Sequence, residues 1–196
     1  MAGLLAPMAL AAAGAVAAAG GSGAAGVTVP LEIREEVLRY RVPGDDLEDL
    51  RAALRSQSVS DRSGGSHGRT HSALGIEYTP MPVEGGCRAH DPSIRLEITT
   101  TLPEWDPATR VGAALRERWQ AVAAALQRHE GTHREHALAA ARDLQAAMGR
   151  LGVQPDCAAL RREADRAVMR VTLRAEFLDA RYDERTRNGL EEGIVL

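Results

Sequence analysis

Five consecutive residues of this chain carry the side chains best suited to chemistry: His129-Glu130-Gly131-Thr132-His133. Histidines four apart on a helix stand one turn above each other, with about 6 Å of rise, so both imidazoles can reach one Zn²⁺. Glu130 then lies beside the metal. Catalytic zinc lowers the pKa of water to about 7, and a neighbouring carboxylate can take that proton and deliver it to a leaving amine. The chemistry indicated is hydrolysis of a peptide or protein substrate with Zn²⁺ as cofactor.

The same pattern also arises on exposed helix surfaces, and its setting distinguishes the two cases. Leu115, Trp119, Val122, Leu126, Ala137, Ala140, Leu144 and Met148 recur at threes and fours, and His129 and His133 continue that stripe across the gap. Both histidines are therefore expected to face inward, where a bound metal compensates their desolvation.

Two imidazoles do not complete a catalytic zinc site. His136 lies seven residues after His129, about 10 Å along the axis, so on a straight helix it is expected on the cleft wall or behind the ligands. A second helical stripe, Leu160, Ala164, Val168, Val171, Ala175, Leu178 and Tyr182, follows a short connection near Gly152. Folding it back antiparallel brings Glu176, Asp179 and Asp183 to the level of the pentad, and each is a candidate third ligand.

The elements that must position these residues begin with Glu35–Val42, which alternates as a half-buried strand does and is stopped by Pro43-Gly44. Asp45 or Asp46 caps a short helix whose apolar face is Leu47, Leu50, Ala53 and Leu54. Ser56 to Gly68 reads as a surface loop. Thr70–Thr79 alternates again, Pro80 to Gly86 reads as a turn, and Ile94–Thr101 is the clearest strand, with Asp91-Pro92 interrupting its start. These strands are expected to pair as an antiparallel sheet. His67, His71 and His90, in or beside its loops, read as solvated side chains. Asp106-Pro107 reads as the start of the first long helix, which would run about 60 Å to Met148, so a break at Gly112 or Gly131 is expected.

Composition suits one globular domain over residues 35–196. All 24 basic residues are arginine, yet the net charge is −3 and no basic stripe interleaves with aromatics, which argues against nucleic acid. Residues 1–26 carry no charged side chain and resemble a signal peptide or an Ala-rich leader. They are too poor in large apolar side chains for a stable membrane span, and none is expected once the leader is removed. Cys87 and Cys157, the only cysteines, suit one disulfide in an oxidising compartment, worth about 4 kcal/mol in the chain-entropy model. Secretion or a periplasmic location is the expectation.

Several of these features recur together. Tyr40-Arg-Val-x-Gly44, Gly86-Cys87, Leu102-Pro103-x-Trp105, Trp119, the pentad and Tyr182-Asp183-x-x-Thr186-x-x-Gly189 stand in the order found in the DUF922 family. The chain resembles this group of predicted secreted zinc-dependent proteases over roughly Glu35 to Gly189. The resemblance implies an exported, zincin-like protein. In this chain Asn188 stands where the family's last motif usually has histidine. The similar aspartate-containing motif of aspzincins favours Asp183 as third ligand, with Asp179 and Glu176 the alternatives.

The expected fold is α+β, zincin-like: a small antiparallel sheet and a short helix packed on two long antiparallel helices, with the cleft between. His129, His133 and Asp183 are expected to hold zinc, Glu130 to act as general base and then acid, and Tyr182 or His136 to stabilise the oxyanion. The competing expectation is a non-catalytic envelope binding or scaffold module with a structural or incomplete metal site.

Overall fold

The computed structural model describes residues 28–57 and 67–196. The expected leader over 1–26 and most of the Ser56 to Gly68 loop lie outside the described residues. The elements run β1 (Leu31–Val42), α1 (Leu47–Ser56), β2 (Arg69–Val83), β3 (Gly86–Trp105), α2 (Ala113–Gly149), α3 (Cys157–Thr186) and a terminal 3₁₀ turn (Leu190–Glu192). The α+β class holds, with three helices against a three-stranded sheet.

The sheet is mixed rather than antiparallel. Its order is β1-β3-β2, with β2 and β3 antiparallel and β1 parallel to β3. Alternation within a strand does not say which edge it will take. β1 and β2 do run in opposite directions, but β1 lies on the far edge of β3, and that placement makes its own pairing parallel.

Two turn signals in the sequence also yield to longer strands. Pro80 and Pro82 lie within β2, an edge strand where a missing N–H costs no ladder bond on the open side. Asp91-Pro92 is absorbed into β3 as an irregularity of register opposite Tyr78, with Asp91 at φ 48°.

One face of the sheet carries the helices. Ile94, Leu96 and Ile98 of β3 point into them and are almost fully buried. They meet Ala137, Ala141, Leu144 and Met148 of α2, and Ala164 and Val171 of α3 complete this layer. A second cluster at the other end joins Val42, Leu50 and Leu54 to Trp105 and Trp119, whose rings lie 5.8 Å apart. Asp46 caps α1 by accepting from the N–H groups of Glu48 and Asp49.

The first long helix starts at Ala113, with Gly112 as its N-cap, and no break occurs at Gly131. Starting seven residues after Asp106 shortens it to 37 residues, about 56 Å. Contacts along almost its whole length remove the need for a bend. Asp106 belongs instead to the end of the sheet, where its N–H reaches Val42 O and its carboxylate pairs with Arg41.

α3 runs antiparallel to α2. Asp156 caps it as expected, accepting from the N–H of Ala159. The expected disulfide between Cys87 and Cys157 ties the start of β3 to the start of α3, and Cys87 and Gln154 exchange two backbone hydrogen bonds of 2.8 Å beside it.

Candidate metal centre

α2 and α3 lie side by side so that His129, Glu130 and His133 face Asp179, Tyr182 and Asp183. His129 and Glu130 are each 3 % exposed, which bears out the inward orientation read from the stripe. Three ligand atoms converge. His129 Nε2 lies 3.2 Å and His133 Nε2 3.0 Å from Asp183 Oδ1, and the two Nε2 atoms are 3.4 Å apart. Tetrahedral zinc, with bonds of about 2.0–2.1 Å, holds its ligand atoms about 3.3 Å from one another. The triangle has that size.

The opposite nitrogen of each imidazole is held by a carboxylate. His129 Nδ1 donates to Glu192 Oε2 at 2.8 Å, and His133 Nδ1 to Asp179 Oδ1 at 2.9 Å. An ionised carboxylate can only accept, so a proton sits on Nδ1, and in the neutral tautomer that a metal would require each ring turns a lone pair at Nε2 towards the triangle. Asp183 Oδ1 is buried there without a hydrogen bond directed at it. Three electron-rich atoms at van der Waals distance or closer repel unless protons or a cation sit among them. Two imidazoles and a carboxylate are the donor set of catalytic zinc sites, so the residues present fit that ion.

Without metal, protons take that role. Burial disfavours the charged form of His133, but Asp179 and Asp183 outweigh it and its pKa is pushed up to about 10. His129 is raised likewise, its burial overcome by Asp183 and Glu192. Burial opposes ionisation of Asp183, yet the two imidazoles hold its carboxyl well below the usual range.

Glu130 is set apart by a different contact. Thr70, on the inward face of β2, donates its hydroxyl to Glu130 Oε2 at 2.9 Å. Burial raises the Glu130 pKa, and the Thr70 hydrogen bond and the histidines only partly counter it. A Cβ on Gly68 would lie 2.8 Å from Glu130 Oε1 and from Leu126 Cδ1, so only glycine lets the backbone pass this close. A cleft of about 200 Å³ opens over the site, walled by Arg69, Thr70, Glu130, Asp183 and Asn188 among others.

The end of α3 is shaped to present Asp183 and to bring in Glu192. Arg187 and Asn188 adopt left-handed conformations, and the Asn188 N–H caps the carbonyl of Asp183 at 2.8 Å. Thr186 Oγ1 donates to the Tyr182 carbonyl and accepts from the Gly189 N–H. Gly189, at φ 81°, has no room for a Cβ, which would meet Ile194 at 2.1 Å. The 3₁₀ turn that follows delivers Glu192.

Tyr182 does not offer its hydroxyl to the cleft. Its ring stacks on His129 at 4.9 Å and the hydroxyl donates to Glu192 Oε1 at 2.7 Å, on the side of His129 away from the triangle. It positions the Glu192–His129 pair. His136 stands off the ligand triangle, as the helix geometry requires, and its Nδ1 donates to Asp179 Oδ1 at 2.7 Å. Of the alternative third ligands, Asp179 lies on the Nδ1 side of His133, and Glu176 lies one turn further along α3. His71 and His90 are exposed as expected, whereas His67 is half-buried and its carbonyl accepts from the Tyr40 hydroxyl.

Sequence reasoning missed two members of the site, Thr70, which holds Glu130, and Glu192. Glu192 lies beyond the last long helix, in a turn whose path depends on Gly189. The one available signal was the Thr186-x-x-Gly189 pair, which marks a helix end that turns back on itself.

Neither a curated protein nor a solved structure gives a significant match to this chain. A family described as "Bacterial protein of unknown function (DUF922)" matches residues 37–189, a span running from β1 to the glycine that turns the chain towards Glu192. The chain belongs to the DUF922 family.

Proposed function

We propose that this protein is an exported zinc-dependent peptidase of zincin-like design, with His129, His133 and Asp183 as metal ligands and Glu130 as general base. The observation that carries this reading is the triangle of Nε2, Nε2 and Oδ1 at 3.0, 3.2 and 3.4 Å, backed by a carboxylate on each imidazole. Zinc bound there would make water acidic enough to lose a proton near pH 7 and would polarise a substrate carbonyl.

The chain's own residues supply the proton transfers. Glu130, buried and held at Oε2 by Thr70, takes a proton from water at Oε1 and passes it to the departing nitrogen. One water is consumed: its oxygen ends on the carbonyl carbon and a proton ends on the amine as the C–N bond breaks. Glu192 and Asp179 keep both rings in the tautomer that directs Nε2 at the metal. The Cys87–Cys157 disulfide supports an oxidising compartment, and among the described residues no helix is long and apolar enough to cross a membrane.

A second reading, a binding or scaffold module with structural zinc, is favoured by one observation. The hydroxyl of Tyr182 and Nδ1 of His136, the expected oxyanion donors, are both engaged by carboxylates. One experiment separates the two. Purified protein should contain about one zinc per chain, and Glu130→Gln should retain it while losing hydrolysis of an unfolded protein substrate by at least about 10³-fold. Stoichiometric zinc with no turnover of any peptide library selects the second reading, and undiminished activity in Glu130→Gln removes the general base from the mechanism.

A further inference from the structure

Beside the metal cleft a second groove of about 270 Å³ runs between β2 and α3. The two share Thr70 and Asp179, so the groove opens where Glu130 is held. Its floor is aliphatic, formed by Leu74, Leu96, Ala137, Ala140 and Ala175, and its rim carries Glu176 and Asp179.

The rim is acidic, and among the described residues no arginine offsets Glu176. Residues three and four positions either side of Glu176 are Thr172, Leu173, Asp179 and Ala180, so no arginine can reach it along the helix, and its i+3 neighbour is another carboxylate. Among the described residues Glu176 makes no ion pair. Asp179 accepts from His133 and His136 through Oδ1, and among the described residues no hydrogen bond or ion pair engages its Oδ2. The one histidine lining the groove, His71, is exposed on β2, and Arg174, two residues before Glu176, turns to Asp143 on α2. An aliphatic trough ending in two carboxylates matches a side chain with a long apolar stem and a cationic head.

We propose that this groove is a specificity subsite for an arginine or lysine adjoining the scissile bond, making the substrates basic peptides. The assignment rests on the peptidase reading for what happens to the bound peptide, and on the groove alone for what binds. The stem lies over Leu74, Ala140 and Ala175 and the head between Glu176 and Asp179. Glu176 is exposed and outside the metal centre, so it can be changed with the fold and metal ligands intact.

The test uses fluorescein-labelled peptides of one length that carry arginine, norleucine or glutamate at a single central position. Binding to the zinc-loaded protein is read by anisotropy, and turnover by mass-mapped cleavage. The arginine peptide should bind at least about tenfold more tightly than the norleucine peptide. Glu176→Gln should erase most of that preference while leaving norleucine binding and zinc content unchanged, and Glu176→Arg should shift preference to the glutamate peptide. Arginine-selective binding without cleavage supports the groove and sinks the hydrolase reading. Cleavage without arginine preference, or a preference that survives Glu176→Gln, overturns the groove and leaves hydrolysis standing. No binding and no cleavage overturns both.

Discussion

The two ends of the α2–α3 pair are built on opposite principles. At one end Leu144, Met148, Leu160 and Ala164 are buried among aliphatic neighbours, and the Cys87–Cys157 bond and paired backbone of Cys87 and Gln154 close the corner. At the other, two imidazoles, a tyrosine and the carboxylates of Asp179, Asp183, Glu130 and Glu192 crowd between the same helices. Apolar packing is sufficient in itself, whereas three lone pairs aimed at one point need a positive charge among them. The difference teaches that one helix pair divides its labour: the disulfide end holds the fold, and the pentad end gathers buried titratable groups that need protons or a cation to lie so close.

Removing the covalent clamp is expected to have the largest effect. Cys87→Ser with Cys157→Ser should lower the unfolding free energy by about 4 kcal/mol in urea denaturation of the metal-free protein. Zinc affinity should stay within about twofold, because the pentad lies nearly 30 Å along the helix from the clamp, at about 1.5 Å per residue. A tenfold loss of zinc affinity would show the two ends to be linked and the division of labour false.

The converse change is smaller and should act only at the other end. Glu192→Gln removes the carboxylate behind His129 and should weaken zinc binding about 10- to 100-fold in a chelator competition, while lowering metal-free stability by less than loss of the disulfide does. Unaltered affinity would reduce Glu192 to a surface residue.

The mildest test is pH. His133 has a folded pKa raised from 6.5 to about 10, so its contribution to metal-free stability is complete below about 6.5 and is lost as pH rises through about 10. Asp183, depressed, contributes above its ordinary value near 3.8 and loses that contribution only as pH falls through its lower folded value. The metal-free melting temperature should therefore decline between pH 7 and 10, and the decline should shrink in Asp179→Asn. A flat profile over that range would mean His133 is not held as a cation by Asp179 and Asp183.

The site was legible where it depends on local repetition and obscure where it depends on the path of the chain. His129, Glu130 and His133 stand on one helix, so spacing alone predicts their common face. Asp183 follows from folding one helix back on another, which narrows the choice to three carboxylates one turn apart; the family resemblance, not the periodicity, singles it out. Glu192 depends on a left-handed turn at Gly189, and the hydroxyl of Tyr182 is misassigned for the same reason, since its partner was not in view. The fold divides similarly. Helix faces, the Asp46 and Asp156 caps and the cysteine pair are written in neighbouring residues. The parallel placement of β1 and the passage of β2 and β3 through their prolines are decided by which strand lies beside which, and alternation does not carry that information.

Among the described residues that strand order leaves β1 as a twelve-residue edge, with Ile33, Val37 and Leu38 between 41 % and 55 % exposed. A long open rim of this kind invites a neighbouring molecule to add a strand, the first step of self-association. Six of the twelve residues are charged, and Glu35 is pinned by Arg134 of α2 at 2.6 Å. The cost of stripping water from those charges opposes the addition of a further strand along that border.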